Sequence, residues 1–289
     1  MSSIKDKFSC GFWNVGIITS SAKDIINGKS NYCFRWMKHH HWDKFFADPF
    51  PVNEDKDFYY ILAEQYSYFT SKGTIVMLKI RKEDFRLVGK NPVIETNYHL
   101  SFPFPYSGSI VPEQFRAGKL YAYKDGVETC ICDYPVIDPV LFDFKGKKFL
   151  FGTLTCDDNK GHNRSLFWFE KKGEKYELKK EKPIKEDVTS SRAAGAFFEI
   201  DGQLYRGAQD CERIYGGQTR IMKVDLTEDS YKETEVAIVN SSSSNEFNDG
   251  LHTFNPWKDI VVIDGFQNET RYLLKIPFVL YRYFRRLIK

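Results

Sequence analysis

The sequence predicts an all-β fold, a five-bladed β-propeller followed by a short C-terminal amphipathic helix, and three observations carry that expectation. The composition is rich in strand-favouring aromatics, with 25 Phe and 17 Tyr among 289 residues. Such residues suit pleated, half-buried surfaces. A hairpin pattern recurs five times along the chain, and strand-like runs follow most of the copies. Units of this kind, built from about four strands each and needing no crossover helices, are what propeller blades require.

The five copies are ADPFPVNEDKDFYYILAEQ (47–65), LSFPFPYSGSIVPEQ (100–114), IDPVLFDFKGKKFLFGTLT (137–155), SRAAGAFFEIDGQLYRGAQD (191–210) and LHTFNPWKDIVVIDG (251–265). In each, two apolar runs flank a polar turn such as Lys145-Gly146-Lys147 or Asp201-Gly202, the local signature of a hairpin. The runs at 73–80, 164–172 and 219–226 supply outer strands. A β-sandwich also accommodates many hairpins but gives no reason for five matched ones. The fifth unit is short of strands. The segment FWNVGII (12–18) lies outside every repeat, and its addition to the last blade would close the ring and remove an open edge. The run Ser241 to Ser244 and the charged stretch Lys171 to Asp187 read as blade connections, so residues 1–276 form one domain.

Charge and cysteine usage narrow the function. The 42 basic and 39 acidic residues leave a net charge of +3, far from the basic excess of a nucleic-acid-binding domain. The six cysteines are sparse and irregularly spaced, which points to reduced thiols rather than a disulfide framework. Cys130 and Cys132 lack a second ligand pair, and His39, His40 and His41 cannot all face one ion from a regular element, so no metal site or cofactor is expected. Residues 1–12 lack the apolar core of a signal peptide, which reads as a cytoplasmic protein.

In a propeller the innermost strand of each blade lines the axis. The first run of each copy therefore brings Asp48, Ser101 or Pro103, Asp138, Arg192 and His252 towards one site. The second runs end at Glu64, Glu113, Thr155, Gln209 with Asp210, and Asp264, a potential second ring. An arginine beside two carboxylates should keep them ionised, which suits a general base, and its planar fork binds phosphate. The site thus reads as one for a sugar or sugar phosphate, with Asp48 and Asp138 as bases and Arg192, His252, Arg206, Glu64, Glu113 and Asp210 around the substrate. Trp13, Phe46, Phe102, Phe104, Tyr205 and Tyr215 are candidates to stack on a sugar ring, although most aromatics must fill the spaces between blades. The bland readings stand beside these: Asp-Pro pairs satisfy backbone amides where strands start, Arg192 is an ion-pair partner, and His252 is a hydrogen-bonded core residue.

WNVGI, FFADPF, HLSFPF with VPEQ, VIDPVLF, SSRAAGAFFEIDGQLYRGAQDCERIYGG and GLHTFN follow one another in order over residues 12–275. Together they resemble the N-terminal domain of glucosamine inositolphosphorylceramide transferases. That domain is in turn similar to the five-bladed arabinanase and β-xylosidase type of glycoside hydrolase. The hydrolase resemblance implies a base at Asp48 and a pKa-tuning aspartate at Asp138. Where those enzymes place their acid, this chain has Arg192, so ordinary two-carboxyl hydrolysis is not implied. What remains implied is glycosyl transfer in surface polysaccharide or glycolipid assembly. Two alternatives stay open, a saccharide-binding module that assists a separate transferase, and a hydrolase using Glu113 or Glu64 as a displaced acid.

In the tail, residues 277–289, Arg282, Arg285, Arg286 and Lys289 share one helical face, and Phe278, Tyr281, Phe284 and Ile288 lie on another. Such a helix suits an anionic membrane surface at which a lipid-linked acceptor would be met, making the protein peripheral to the membrane. It equally suits docking of the apolar face on the domain.

Overall fold

The alternation that predicts strands is the one that buries them. In Lys72–Arg81 the side chains of Ile75, Val76, Leu78 and Ile80 are buried while Lys79 and Arg81 are not, as a pleat with one face on a neighbouring sheet dictates. The computed structural model describes residues 9–28, 32–154 and 163–270, together with Pro277, Phe278, Leu280, Tyr281, Tyr283 and Arg285.

The described chain opens with β1 (Ser9–Ile18), α1 (Ala22–Ile26, capped by the Ser21 side chain) and β2 (Phe34–Trp36). Four sheets then follow in order. Blade one is β3 (Lys44–Glu54), β4 (Phe58–Ser67), β5 (Lys72–Arg81) and β6 (Arg86–Ile94). Blade two is β7 (Ser101–Tyr106), β8 (Ser109–Glu113), β9 (Leu120–Lys124) and β10 (Val127–Cys132). Blade three is β11 (Ile137–Phe144), β12 (Lys147–Thr153), β13 (Ser165–Lys172) and β14 (Lys175–Leu178), with β15 (Lys185–Glu186) also paired to β13. Blade four is β16 (Ala193–Ile200), β17 (Gln203–Asp210), β18 (Gln218–Leu226) and β19 (Tyr231–Val239). The last blade takes β20 (Phe254–Trp257) and β21 (Ile260–Thr270) from the end of the domain and β1 and β2 from its beginning, in the order β2-β1-β21-β20.

The expected closure is therefore present and longer than 12–18. β1 runs antiparallel to β21 from Ser9↔Thr270 to Ile18↔Val261. The stretch Lys171 to Asp187 is more than a connection, since it contains β14 and β15. Some of its charges are exposed, as at Glu177 and Glu186, while Lys179 and Lys185 are largely covered and pair with Glu170 and Glu233.

The core lies between blades. One cluster, including Phe102, Phe104, Phe149, Phe151 and Trp168, spans blades one to four. A second joins Val15 and Ile17 to Phe46, Ile61 and Leu78, and a third joins Ile18, Ile25 and Phe254 to Ile221 and Val239. Each buried Phe or Ile contributes roughly 1.5–3 kcal/mol relative to exposure, so the N-terminal strand is held by side-chain packing as well as by its ladder.

Blades one to three share a device on their inner strands. Asp48 (φ 50°), Phe102 (φ 43°) and Asp138 (φ 47°) lie in the left-handed region, each directly before a proline. Each also sits at a break in register with the second strand, between Ala47/Phe50, Ser101/Phe104 and Ile137/Val140. A bulge with positive φ re-aims one side chain and its amide, and for a non-glycine residue it costs of order 1–2 kcal/mol. In blade four the break falls between Ala193 and Phe197 and contains Gly195 (φ 136°). A Cβ there would stand 2.5 Å from Asn255 Oδ1 and 2.7 Å from the Phe254 carbonyl, which accounts for the glycine of SRAAG.

Candidate axial site

The bulges direct their polar groups at the axis, where hydrogen bonds stitch neighbouring blades together. Asp264 Oδ2 accepts from the Asp48 amide (2.9 Å), linking the last blade to the first. Asp48 Oδ2 accepts from the Phe102 amide (3.0 Å), and Glu113 Oε2 from the Asp138 amide (3.3 Å). From blade four, Arg192 donates to both carboxylate oxygens of Asp138, Nη2 to Oδ1 at 3.3 Å, and Gln209 Nε2 donates to Asp138 Oδ2 at 2.9 Å. Asn255 closes the circuit by accepting from the Ala196 amide and donating to the Pro49 carbonyl, each at 2.9 Å.

Asp48, Asp138, Arg192 and His252 thus converge as the repeat predicts. His252 lies between two aspartates, with Nδ1 2.8 Å from Asp264 Oδ1 and Nε2 3.8 Å from Asp48 Oδ1. Arg192 Nη2 stands 3.6 Å from Glu113 Oε2, and its Nη1 donates to Asn163 Oδ1 at 2.8 Å. The open surface is small, 9% for Arg192 and 6% for Asp48. Trp13 stacks flat on His252 with ring centroids 3.8 Å apart. Tyr215, 45% exposed, meets the same imidazole edge-on at 5.5 Å and lies 5.0 Å beneath the Arg192 guanidinium. Gly216 (φ 62°) permits this approach, because a Cβ there would lie 2.7 Å from His252 Cβ and 3.0 Å from the Trp13 ring.

The second ring is Glu64, Glu113, Thr153, Gln209 and Asp264. Register places Glu64 opposite Ala47, Glu113 opposite Ser101 and Thr153 opposite Ile137, so Thr153 fills the place expected of Thr155, which lies outside the described residues. Glu64 Oε1 has no hydrogen bond, with His99 Nε2 3.5 Å away.

Several expected members belong elsewhere. Asp210 alternates with Gln209 on β17, so when Gln209 reaches the axis Asp210 faces the other way, where Arg220 Nη2 (2.8 Å) and Gln218 Nε2 (2.8 Å) hold it. Arg206 is no anion clamp: its guanidinium is consumed by Glu233 (Nε to Oε2 2.7 Å), the Tyr231 hydroxyl (2.8 Å) and the Ser190 carbonyl. Blade two offers the axis the amide of Phe102 in place of Ser101 or Pro103. Phe46, Phe102 and Phe104 are buried in packing clusters, and Tyr205 stacks on Phe198. Of the six aromatic candidates, Trp13 and Tyr215 reach the site. Thr253, whose hydroxyl donates to Asp264 Oδ2 at 2.8 Å, and Asn163 carry no sequence signal that marks them.

Burial, more than the arginine, sets the charges. It pushes the Asp48 carboxyl up to about 6, against the pull of His252. Burial likewise raises Glu64 and Glu113 well above the ordinary glutamate range, with Asp48 and Asp138 respectively adding repulsion. The expectation that an arginine keeps the two axial aspartates depressed and ionised fails for Asp48, because desolvation of a nearly enclosed carboxyl outweighs the cations near it, and Glu113 beside Arg192 behaves the same way. His252 and Asp264 go the other way. Burial opposes the charge on each, but the imidazolium and carboxylate together overcome it, so His252 is raised and Asp264 lowered. Asp48, His252 and Asp264 each bring one ligand atom within 4.8 Å of the others, a spacing that could hold a cation. Five hydrogen bonds from Asp48, His252 and Thr253 already occupy the Asp264 oxygens.

Residues 12–256 match the family described as Glucosamine inositolphosphorylceramide transferase 1, N-terminal. The chain belongs to this family. It is 29% identical over 208 residues to Glucosamine inositolphosphorylceramide transferase 1 of Arabidopsis thaliana, covering 66% of this chain and 27% of that protein. The protein of the same name from Oryza sativa subsp. japonica is 27% identical over 208 residues, 66% of this chain and 28% of its own length. The chain therefore spans about a quarter of the length of these transferases. Among solved structures, the family 117 glycoside hydrolase Zg3597 of Zobellia galactanivorans aligns with TM-score 0.48 and 10% identity, over 82% of this chain and 90% of its own. CoXyl43, a GH43 β-xylosidase/α-arabinofuranosidase from a compost metagenome, aligns with TM-score 0.49 and 9% identity, over 78% and 91%.

Proposed function

We propose that this member of the transferase family acts in glycoconjugate assembly, moving a sugar from a phosphate-linked donor to a hydroxyl acceptor at the axial site. The observation that carries this reading is Asp48. Its Oδ2 is fixed by the Phe102 amide, its Oδ1 has, among the described residues, the 3.8 Å contact with His252 and no hydrogen bond, and its pKa is drawn up to about 6. A base with a pKa near the operating pH accepts a proton most effectively. In the step, the acceptor hydroxyl gives its proton to Asp48 Oδ1 while its oxygen forms the new bond to the anomeric carbon. The bond from that carbon to the phosphate oxygen breaks, and the electron pair leaves with the phosphate. Arg192 faces the departing anion, with a phosphate oxygen replacing Asn163 Oδ1 as its partner. His252, held by Asp264, offsets the negative charge around Asp48. The relatives' name supports an amino sugar and an inositol-phosphate lipid as the substrate classes to try first.

The test is incubation with nucleotide-linked hexosamines and a glycosylated inositolphosphorylceramide, with product read by mass spectrometry and donor binding by thermal shift. Asp48→Asn should lower the rate by about 10²–10⁴-fold, the usual worth of a general base, with donor binding retained. An unchanged rate in Asp48→Asn, or no donor-induced shift in the native protein, overturns the reading.

A second reading, saccharide recognition without chemistry, is favoured by the structural duty of Asp264 and Asp138, whose oxygens are engaged by hydrogen bonds within and between blades. It predicts saccharide binding and no product with any donor.

A further inference from the structure

A groove of about 1220 Å³ lies beside the axial site, between the last blade and the first, and includes Trp13, Asn14, Trp36, His39, Trp42 and Ser244 in its lining. It exceeds the roughly 300–1,000 Å³ usual for a small-molecule site. Its walls mix aromatic and hydrogen-bonding surface. Trp36 lies flat across β1 and β21, over Gly16 and Gly265, where a Cβ would come within 2.4 Å and 2.3 Å of the indole. Its Nε1 is fixed by Ser244 Oγ at 2.8 Å. Trp42 is 46% exposed.

Two polar atoms in these walls lack partners among the described residues. Asn14 is 3% exposed and donates through Nδ2 to the Met37 carbonyl (2.9 Å), but its Oδ1 is buried with no hydrogen bond. His39 accepts from the His41 amide through Nδ1 (3.2 Å), and burial together with the other two histidines holds its pKa down to about 4. The ring is therefore neutral near pH 7 and carries its proton on Nε2, for which no hydrogen bond is formed. An unpaired buried acceptor costs free energy until a ligand satisfies it. Most cations of the lining are already engaged: Arg35 donates to the Lys82 and Glu83 carbonyls, Arg86 pairs with Asp84 and Lys44 with Asp43, which leaves the exposed Lys38 beside the acidic Glu83 and Glu246 of the same lining.

We infer that this groove binds an uncharged or weakly charged oligosaccharide, a second saccharide site whose inner end meets the axial site at Trp13. Sugar hydroxyls are donor and acceptor at once, which matches Asn14 Oδ1 and His39 Nε2–H. The apolar faces of pyranose rings match indole surface. The size of the groove calls for several sugar units. Trp13 stacks on His252, so occupancy of the groove reaches the axial site through one shared ring. The inference takes only the sugar class from the proposed function and requires no transfer activity.

The test is titration of the full chain with chitotriose, the glucosamine trimer and maltotriose, followed by tryptophan fluorescence and calorimetry. At least one trimer should bind saturably at millimolar concentration or better. His39→Phe, which keeps a ring and removes both nitrogens, and Trp42→Ala, at an exposed position, should each weaken binding by about tenfold or more, the scale of one lost buried hydrogen bond. Asp48→Asn should still bind the trimer saturably, since Asp48 is not among the residues that line the groove. Melting temperature checks that each variant is folded. No saturable binding by the native protein overturns the inference, as does binding that survives both groove changes. Loss of transfer in Asp48→Asn with trimer binding intact keeps the two proposals distinguishable.

Discussion

Asp264 accepts a hydrogen bond from the backbone amide of Asp48 across 216 residues of sequence, and the same carboxylate takes His252 and Thr253 from its own blade. One fully buried side chain therefore locks the last blade to the first at the axis, beneath the residue proposed as base. Replacing it with alanine leaves three amides and an imidazolium without their acceptor. Asp264→Ala should destabilise the domain by about 3–5 kcal/mol, the usual cost of orphaning buried charged and hydrogen-bonded partners, and urea unfolding measures this directly.

The pH dependence of stability separates the two aspartates. Asp264 is lowered on folding, so its contribution is present above the ordinary aspartate value of about 3.9 and is lost as pH falls through the folded value. His252 is raised, so its contribution is complete below about 6.5 and fades as pH rises through the folded value. Asp48 is raised to about 6, so the fold holds more protons than the unfolded chain across the window from about 3.9 to 6, and stability falls with rising pH there. Asp48→Asn keeps an oxygen for the Phe102 amide and removes that cost. It should melt a few degrees above the native protein at pH 8 and level with it at pH 4, and equal differences at both pH values would contradict the assignment.

Arg206 and Glu233 are a buried pair, 3% and 5% exposed at their side chains, remote in role from the axis. Arg206→Met strands the Glu233 carboxylate, which the guanidinium and Lys185 hold down to about 2 against burial. A loss of about 3–5 kcal/mol is expected, with ligand binding at the axial site unchanged in whatever population remains folded. Thermal shifts with ligand at fixed multiples of Kd measure both.

Gly216→Ala places a methyl group against His252 and Trp13 at a left-handed backbone position. The loop that carries Tyr215 must lift. Axial ligand binding should weaken by tenfold or more while β17 and β18 keep their ladder, and amide hydrogen exchange should show added opening in residues 211–217 only.

The tail prediction divides between two faces. Phe278 is 1% exposed, with rings of Trp42, Tyr68 and Phe69 at 5.7, 5.2 and 4.9 Å, so its side of the helix is packed on the domain. Leu280, Tyr281 and Tyr283 are 45–59% exposed. Phe278→Ala should cost about 3–5 kcal/mol, as for a buried Phe elsewhere. Leu280→Glu, at a half-exposed position, should leave the melting temperature unchanged and weaken the hold on anionic vesicles, as a membrane contact of the tail requires. Undiminished retention of that variant on those vesicles would remove the membrane role. The remaining basic residues of the face, Arg282, Arg286 and Lys289, lie outside the described residues.

The sequence by itself determined the strands, their grouping into five units and the closure by β1, because alternation with period two and turn chemistry are local properties of the chain. Asp48, Asp138, Arg192 and His252 were legible for the same reason, each holding the same place in its repeat. The roles of Arg206 and Asp210 were not. Asp210 faces away from the axis because its neighbour Gln209 takes the inward step of the pleat, and the sequence alone left both as candidates. Arg206 is claimed by Glu233, a residue two strands away. Only the tertiary structure decided the charges, since a carboxyl's pKa depends on what encloses it, and closing the ring excludes the water that would have kept Asp48 and Glu113 at their ordinary values. It also decided that Tyr215 covers the site and that Asn14 and His39 leave polar atoms unpaired in a groove, because those contacts exist only once the first strand of the chain has been folded into the last blade.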